Sequence, residues 1–477
     1  MESPVPALKS QGEQFQSLPS SASNSHLWSE FPRGKHLVDD LNSKKRLHVA
    51  GIERQSWSHA LLEWMRGFVA EEIEPLDLVF RDPGAHVDPR SRAARIMAPL
   101  KEEVKKRGLW ACHLGPELGG KGLGQLKLGL MNEILGRSRF APTVFGTQAP
   151  DTGNAEILAR FGTPDQKAKY LQPLLDGEIV SCYSMTEPQA GADPGEFTCK
   201  AHLNAGEWVI EGEKWYASHA CIAEFLIVMV ITDPTVPVHE GSTMLIVPHD
   251  TPGLEIIRNT AVGPKDEIGS GVHGYLRFTN CRVPEANHLG PIGAGFKVAQ
   301  SRLGGGRIHH AMRTVGMLNK AMEYMTERVV SRTTKGERLA DKQMVQEKIA
   351  DSYTQILQFR LHVLYAAWLL DRDQTYTRPV RREISAIKAA MPGVLKDVVY
   401  RALHLHGSLG MSNETPLMDM WQYVPEMGIV DGPTEVHKIG VAKDILRDVQ
   451  PFAGPFPSYH VPARLAAARE KFAAYLD

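Results

Sequence analysis

The sequence predicts an α+β protein that is mainly α, with an N-terminal helical domain, a central antiparallel β domain and a C-terminal four-helix bundle. Two observations lead to this fold class. Apolar residues repeat at spacings of three and four in both outer parts of the chain, as on one face of a helix. Between these parts, short β-rich runs alternate with Gly, Pro, Asn and Asp, as strands do with turns. The chain has 477 residues, 43% of them hydrophobic, which is more than one simple domain requires.

Changes in composition place the domain boundaries. Residues 1–45 are rich in Ser, Pro and Gln, and we expect them to form a flexible arm. The N-terminal helical domain is predicted at 46–180, the β domain at 181–293 and the helical bundle at 294–450. Residues 451–477 are predicted to be a tail with one short helix.

Local patterns support each domain in turn. In the first, Leu61, Leu62, Met65, Phe68 and Val69 share a helix face, and Thr163 is placed to cap a helix that starts at Pro164. The predicted strands of the second are Trp208–Ile210, Phe225–Ile231, Met244–Val247, Leu254–Ile257 and Tyr275–Phe278. The third contains two apolar stripes, one of which we expect to kink or break at Pro392-Gly393. The longer stripe steps by three or four residues through Val345, Ile349, Tyr353, Ile356, Phe359, Val363, Ala367 and Leu370.

Charge and cysteine content argue against several classes of protein. The chain carries 54 Lys and Arg against 55 Asp and Glu, so there is no basic excess for nucleic acid. Its five cysteines show no C-x-x-C spacing, which argues against a disulfide framework or a zinc cluster and favours a reducing compartment. The longest apolar run has strand length, so we expect no membrane span and a cytoplasmic location, or a mitochondrial or peroxisomal one in a eukaryote.

Two Gly-bearing or aromatic segments are candidates for binding a planar cofactor. The segment Cys182–Asp193 ends a strand at Thr186-Glu-Pro and turns through Gly191, which exposes backbone N–H groups and a hydroxyl. The segment Gly212–Ser218 places two aromatic residues and a hydroxyl at a strand end. The simpler interpretations are an ordinary β-turn and a pair of core aromatics.

Two further Gly-rich segments follow in the helical bundle. Leu303–His310 has three glycines before Arg307. The glycines either let a ligand approach the backbone at the start of a helix or form a flexible connection between two helices. His404–Gly410 is predicted to be a turn after a helix. Its histidines, at i and i+2, do not share a helix face, so we predict no metal site.

The segment Val430–His437 places an acid in a loop directly before a helix. Asp431 precedes Gly432 and Pro433, and Thr434 then starts a helix whose apolar face continues through Val436, Ile439, Val441 and Ala442. A carboxylate in such a loop, in a largely apolar region, is a candidate general base. By residue type alone, an Asp before Gly-Pro is equally a turn or capping residue.

The order and spacing of these motifs resemble the acyl-CoA dehydrogenase family over roughly residues 50–450. Gly115–Gly122 is similar to the P-E-x-G-G-x-G loop of that family, and Phe161–Lys167 to its F-G-T-x-x-Q-K segment. Thr186–Asp193 matches its T-E-P-x-A-G-S-D signature, with Ala192 in place of Ser.

Two later segments extend the resemblance. Phe278–Gly290 is similar to the F-x-x-V-R-V-P-x-x-N-x-L-G strand and loop, with Cys281 in place of the first Val. Val430–Lys443 aligns without a gap to the Y-E-G-T-x-x-I-x-x-x-x-x-A-R segment, which contains the catalytic Glu of most family members.

The resemblance implies FAD as cofactor, an acyl-CoA as substrate and an electron-transfer flavoprotein as electron acceptor. Because family members share sites between subunits, it also implies a homodimer or homotetramer. The flavin and its pyrophosphate would contact Tyr183, Met185, Thr186, Gly191, Ala192, Tyr216 and Ser218. More distant parts of the FAD, some in a neighbouring subunit, would contact Arg332, Gln343, His404, Gly407 and Glu435. Arg307, Val430 and Gly432 would line the substrate site.

The implied reaction is α,β-dehydrogenation of the thioester to the trans-2-enoyl-CoA. A carboxylate removes the α-proton while flavin N5 accepts the β-hydride. The position of the catalytic Glu holds Asp431, which is shorter by one methylene, or about 1.5 Å. Some relatives carry the base just before the position of Arg307, but that residue is Gly306 here. Glu435 is a second candidate base, at a position that the family uses for FAD.

The Asp-Gly-Pro-x-Glu-Val-His form is most similar to a subgroup that includes eukaryotic proteins with a fused phosphotransferase domain, which act on longer or unusual acyl chains, including hydroxylated ones. Three alternatives remain open. They are a flavin oxidase of the same fold, such as nitroalkane oxidase with its Asp base or an acyl-CoA oxidase; a DNA-binding member; and an inactive binder of acyl-CoA or FAD.

Overall fold

The computed structural model describes residues 59–81, 84–115, 118, 120–263 and 269–476. The predicted arm at 1–45 lies outside these residues, and the Gly115–Gly122 loop lies partly outside them. Ser58–Ala442 forms one compact unit, and the segment from Lys443 onwards belongs to a second. Within that second segment, a helix spans Val461–Lys471, where the sequence predicts one short helix in a tail. No helix of the described residues is long and apolar enough to cross a membrane.

The N-terminal part of the compact unit is helical, as the apolar spacing predicts. Met65 and Val69 of the predicted first face are buried. Thr163 caps the helix at Pro164 and forms a capping box with Gln166, in which each side chain bonds the other residue's backbone N–H. The helices are α1 (His59–Phe68), α2 (Glu74–Val79), α3 (Arg92–Lys106), α4 (Gln125–Leu135), α5 (Ala141–Val144), α6 (Asp151–Phe161), α7 (Pro164–Gln166) and α8 (Gln172–Asp176), with π-helical turns at Val69–Ile73 and Lys167–Leu171.

Seven strands among the described residues form one sheet in the order β1-β4-β2-β3-β7-β6, with β5 paired to β4 and β1 also bonded to β3. The strands are β1 (Ser181–Ser184), β2 (Lys200–Asn204), β3 (Glu207–Ser218), β4 (Phe225–Ile231), β5 (Ser242–Pro248), β6 (Leu254–Thr260) and β7 (His273–Pro284), and a short helix, α9 (Val238–Gly241), precedes β5. Each predicted strand lies within one of these.

The antiparallel prediction holds for most strand pairs but not for all. β4 runs parallel to β1, with Ser181 opposite Phe225, and parallel to β2 at Lys200. A tight hairpin forces its two strands to be antiparallel, but the chain reaches β4 from β1 through two intervening strands. Such a long connection permits the parallel direction.

The sheet is buried on both faces at β4, which explains its uninterrupted apolar sequence. Leu226, Val228 and Val230 pack into a core formed by residues of the other strands. Phe225 and Ile227, which alternate with them, pack against the helices of the N-terminal part. A strand that is covered on both faces needs apolar residues at every position.

Long helices return after the sheet and pack against one another as a bundle, as predicted. They are α10 (Gly295–Ser331), α11 (Gln343–Asp373), α12 (Arg378–His406) and α14 (Leu417–Ile429). A two-stranded hairpin, β8 (Thr333–Thr334) and β9 (Glu337–Arg338), joins α10 to α11; α13 (Ser408–Met411) lies between α12 and α14, and α15 (Thr434–Leu446) follows α14.

Two segments of the bundle whose glycine or proline residues predict a helix end or a break lie inside continuous helices. The segment Leu303–His310 lies inside α10, not at a helix start or in a connection. Three glycines cost roughly 1 kcal/mol each relative to alanine, but α10 is held by buried side chains on both sides of them, such as Val298 and Met312. The expected break at Pro392 is also absent, because α12 continues through it with buried residues on either side.

The predicted apolar face of α15 is not covered by the residues that the structure describes. Val436 and Ile439 are 52% and 54% exposed, whereas His437 is buried. The helix is therefore fixed on the site through a polar residue of its first turns, and its apolar side is left for other contacts.

Buried histidines make the fold sensitive to acid. His219 and His437 are at most 5% exposed, and burial lowers the pKa of each from 6.5 to about 4. Because the unfolded chain binds these protons more readily, stability is lost as the pH falls from 6.5 towards 4, by up to about 1.4 kcal/mol per pH unit for each group.

We expect the melting temperature to fall clearly between pH 7 and pH 5. His219→Asn, which tolerates the positive φ of this position, should reduce the slope, whereas exposed His202→Asn should not; equal slopes in all three proteins would contradict this account.

Candidate functional site

Asp431 lies in the short turn between α14 and α15. Val430 donates its N–H to Glu426 and ends α14, and Asp431 then adopts a left-handed conformation with φ 55°. Among residues other than Gly, Asp and Asn tolerate this conformation best. Gly432 follows with φ 105°, a value that strongly favours glycine. Val430 and Gly432 are half-buried on either side of the acid.

Two side chains hold the backbone carbonyl of Asp431. Arg307 of α10 donates to it from Nε at 3.1 Å and from Nη2 at 2.9 Å. His437 of α15 lies 3.2 Å away through Nε2. Arg307, which the resemblance assigns to the substrate site, therefore also fixes the turn that carries the candidate base.

Gly432 is tightly constrained by this arrangement. A Cβ at residue 432 would lie 2.9 Å from His437 Nε2, in addition to the unfavourable φ. We expect Gly432→Ala to move the turn and to lower the rate of cofactor reduction at least tenfold, with a smaller effect on the melting temperature, because the strain is local. Gly440→Ala, where a Cβ meets nothing within 4 Å, is the matched control. Equal rates for the two variants would show that the turn is not strained.

The carboxylate of Asp431 is surrounded by cationic and imidazole groups. Its side chain is 23% exposed, and Oδ2 lies 3.7 Å from His310 Nε2. Burial alone would raise the pKa of Asp431, but the positive charges of His310 (when protonated), Arg302, Arg307 and Lys388 outweigh it, and the pKa lies below its ordinary value. Burial lowers the pKa of His310 itself to about 4, so the imidazole is neutral at pH 7. The arginines and Lys388 are then the charges that keep Asp431 ionised.

Lys388 is a functional candidate that the sequence analysis did not identify. It is fully buried, and its Nζ donates to the carbonyl of Met427 in the last turn of α14. Burial lowers its pKa to about 8, while Asp431 acts in the opposite direction. The available signal was a lysine on the buried stripe of α12, one turn from Ile384 and three residues before Met391.

Arg302 links the acid to the strand that carries the first predicted cofactor residues. Its guanidinium lies 3.8 Å from the ring centre of Tyr183, and its Nε donates to Asn154 Oδ1 at 3.0 Å. The pKa of Tyr183 is raised to about 12, mainly by burial, with opposing effects of Arg302 and Asp431. Tyr183 and Asp431, far apart in sequence, therefore belong to one cluster. Arg302 itself carried no recognisable sequence signal.

The residues predicted to contact the flavin lie along the β1 and β3 strand ends. Tyr183 pairs with Ser218 across the two strands, and its hydroxyl donates to Met185 Sδ at 3.6 Å. The carbonyl of Thr186 accepts the N–H of Trp215 at 2.8 Å. Tyr183, Met185, Thr186 and Ser218 therefore lie close together at these strand ends, and their contact with a flavin stays a prediction.

A buried ion pair fixes the loop that continues from Thr186. Lys214 Nζ lies 2.8 Å from Glu187 Oε1, both side chains are fully buried, and Lys214 also donates to the Met185 carbonyl. The other oxygen of Glu187 accepts the N–H of Thr198 at 2.6 Å. The Glu of the Thr-Glu-Pro motif is therefore structural: it anchors the loop.

The exposed residues at this surface fit a planar aromatic group. Tyr216 is 43% exposed and has a positive φ of 52°, so its ring is available at the end of β3. Ser218 Oγ lies 2.9 Å from His273 Nδ1 beside it. In the loop, Gly191 and Ala192 are exposed, and a Cβ at Gly191 would meet nothing within 4 Å. An open aromatic face beside accessible backbone suits the flavin that the resemblance implies.

Five predicted cofactor residues lie away from this surface and are all exposed. Arg332 and Gln343 flank the β8–β9 hairpin, and His404 and Gly407 mark the end of α12. Glu435 lies in the first turn of α15, outside the cluster around Asp431. This placement separates Glu435 from the group of charges that acts on Asp431.

Comparison with known proteins assigns these parts of the chain to one family. Models for the N-terminal, middle and C-terminal domains of acyl-CoA dehydrogenases match residues 57–178, 182–281 and 293–446. The probable acyl-CoA dehydrogenase FadE2 of Mycobacterium tuberculosis is 39% identical over 81% of this chain and 95% of its own length. A solved structure of a putative acyl-CoA dehydrogenase from Mycobacterium abscessus superposes with a TM-score of 0.73 at 36% identity, covering 81% of this chain and 97% of that one.

Vertebrate relatives are longer. Acyl-CoA dehydrogenase family member 10 of Mus musculus is 38% identical over 81% of this chain, but the match covers 37% of the mouse protein. Family member 11 of Rattus norvegicus is 34% identical over 90% of this chain and 52% of its own length. The chain thus spans about a third to a half of these two relatives. Three consecutive domain matches and a relative aligned over nearly its full length show that the chain belongs to the acyl-CoA dehydrogenase family.

Proposed function

We propose that the chain is an FAD-dependent acyl-CoA dehydrogenase that converts an acyl-CoA thioester to the trans-2-enoyl-CoA, with Asp431 as the base. The observation that carries this proposal is the Asp431 carboxylate, which is ionised, largely buried and held in a fixed turn beside the surface of Tyr183 and Arg302. A base for carbon acids must be ionised at working pH and protected from water, and this arrangement supports both conditions.

The residues around the acid act on the charge that develops during the reaction. Asp431 accepts the α-proton, and negative charge then moves to the thioester oxygen. Arg302, Arg307 and Lys388 place positive charge near this point, and the N–H of Gly432 is the neighbouring backbone donor. When bound, FAD supplies the acceptor for the hydride of the β-carbon. The cations also make Asp431 a weak base before substrate binds, and closure of the site over a bound acyl chain would raise its basicity.

The cofactor is held in this proposal by the surface between β1 and β3. Tyr183, Met185, Thr186 and Ser218 line its inner part, and Gly191, Ala192 and Tyr216 its exposed edge. Arg332 and Gln343 contact FAD of a partner subunit, in a homodimer or homotetramer, and His404, Gly407 and Glu435 contact other parts of FAD far from the flavin ring. The exposed Val330, Met344 and Met411 lie close in sequence to these residues, and their exposures of 52%, 73% and 63% favour burial in such an interface.

The aspartate in place of the usual glutamate is expected to set the substrate apart. The left-handed turn at Asp431, which Asp adopts more readily than Glu, brings its shorter side chain to the cluster. We infer that the acyl chain approaches this turn more closely than in glutamate-containing relatives. Acyl groups that are longer or modified, including hydroxylated ones, are the substrates we propose to examine.

An electron-transfer flavoprotein is the proposed electron acceptor of the reduced flavin. The cytoplasmic location stays a prediction.

The test is an anaerobic half-reaction of the purified flavoprotein with a panel of acyl-CoAs and nitroalkanes. Reduction of the flavin is measured as loss of absorbance at about 450 nm, where oxidised flavins absorb. Bleaching with acyl-CoAs is expected, with slow reoxidation in air and fast reoxidation by an electron-transfer flavoprotein. Bleaching with nitroalkanes alone, or rapid reoxidation in air, would assign the chain to the oxidases. Binding without bleaching by any substrate would identify a non-catalytic member.

A further inference from the structure

One face of α10 carries a histidine that the proposed chemistry does not use. Arg302, Gly306 and His310 are spaced by four residues and so share this face. A Cβ at Gly306 would meet nothing within 4 Å, which leaves open space between the guanidinium and the imidazole. His310 Nε2 faces Asp431 Oδ2 across 3.7 Å. The imidazole is thus at the carboxylate and beside the space that a substrate could enter.

We propose that His310 is a positioning and proton-sharing partner of Asp431, which takes over the proton that the carboxylate removes from the substrate. This inference rests on the proposed function, because it requires Asp431 to act as the base. The step involves no oxidant: the O–H bond of protonated Asp431 breaks, its electron pair stays on oxygen, and the Nε2 lone pair forms the new N–H bond. The products are the carboxylate and an imidazolium.

The geometry permits this transfer with a small movement. A hydrogen bond needs a separation of about 2.8–3.0 Å, so the two groups must approach by roughly 0.8 Å. Hydrogen bonds between catalytic groups are often long in the unliganded protein and shorten when the substrate binds. His310 is 25% exposed, so an imidazolium there can release its proton to solvent.

The surrounding charges keep either group from trapping the proton. Burial lowers the pKa of His310 to about 4, and Arg313, Lys388 and Arg302 act in the same direction. At Asp431 the neighbouring positive charges outweigh burial, so its pKa also lies below its ordinary value. The charged or titratable groups that face the pair are Arg302, Arg307, His309 and Arg313 on α10, Lys388 on α12, His437 on α15 and Tyr183 on β1.

His310→Ala tests this role, with the neighbouring His309→Ala as the matched control. His309 is buried and contacts Gln125 at 3.1 Å instead of Asp431. The probe is a 3-thiaacyl-CoA, in which sulfur replaces the β-carbon, so that an α-proton can leave but no β-hydride can. Exchange of the α-hydrogens with deuterium from the solvent is followed by NMR. We expect at least a tenfold loss of exchange rate in His310→Ala, recovery with added imidazole, and neither effect in His309→Ala.

The outcomes separate this inference from the proposed function. If the wild-type protein reduces its flavin with acyl-CoA, and His310→Ala exchanges at the wild-type rate or does not respond to imidazole, His310 has no role in proton transfer. If the wild-type protein neither exchanges the probe nor reduces its flavin, both proposals fail. Retention of FAD and an unchanged melting temperature show that a variant is folded. If His310→Ala does not meet this condition, His310→Gln takes its place. Slower exchange than in the wild type is then the expected result, and exchange at the wild-type rate contradicts the inference.

Discussion

Asp431→Asn is expected to lower the rate of flavin reduction by acyl-CoA by about 10²–10⁴-fold, the usual contribution of a positioned general base. Asn has nearly the same shape and tolerates the left-handed conformation of this residue, with its φ of 55°. The hydrogen bonds of Arg307 and His437 to the residue 431 carbonyl do not involve the side chain and should persist. The fold and the bound FAD should therefore be retained, and the loss should appear in the chemical step.

Glu435→Gln is the matched control for this substitution. Glu435 is exposed in the first turn of α15 and is the other acid of the segment. Rapid mixing with acyl-CoA under anaerobic conditions measures the rate of bleaching in both variants. A large loss in Glu435→Gln with little loss in Asp431→Asn would reverse the assignment of the base.

The neutral amide in Asp431→Asn also leaves the surrounding cations uncompensated. Tighter binding of an anionic enolate analogue is therefore a second expected result for this variant.

Lys214→Met is expected to destabilise the protein by about 3–5 kcal/mol, the usual cost of leaving one partner of a buried ion pair alone. Both side chains of the Lys214–Glu187 pair are fully buried, with 2.8 Å between Nζ and Oε1. Glu187 also accepts the N–H groups of Thr198 and Cys199, so it cannot turn towards solvent without breaking those bonds. Because Lys214 also holds the Met185 carbonyl, weaker FAD binding should accompany the lost stability.

The pH dependence of this variant gives an independent check. Burial alone would raise the pKa of Glu187, but Lys214 and the hydrogen bonds to the carboxylate hold it below its ordinary value. A lowered pKa contributes stability that is present above the unfolded value near 4.5 and is lost as the pH falls through the folded value. Without Lys214, burial of the carboxylate is opposed only by its hydrogen bonds, so the pKa of Glu187 should rise and the buried acid should take up a proton as the pH is lowered. Urea unfolding should therefore show a smaller difference from wild type at pH 4.5 than at pH 7.5. Glu187→Gln combined with Lys214→Met should recover part of the loss, and no recovery would contradict the account.

Several elements that carry the candidate site residues are where the sequence predicts them, because each is set by a local segment with a recognisable order. The turn at Val430–Pro433, the strand end at Trp215–Ser218 and the loop after Thr186 are each set by nearby residues, and each is where the sequence places it. Local signals were misleading where packing decided the outcome. The glycines before Arg307 and Pro392-Gly393 disfavour a helix locally, but burial on both sides keeps α10 and α12 continuous.

Hydrophobic periodicity and turn residues act over a few positions, so the sequence is enough to predict the order of helices and strands and the fold class. The resemblance of the Val430–Lys443 segment to the family then singles out Asp431 as the candidate acid. The tertiary structure alone decided what surrounds that acid. Arg302 and His310 come from α10 and Lys388 from α12, and no spacing in the sequence relates them to Asp431. Their effect on its charge depends on distance and burial in three dimensions, which only the packing of these helices creates.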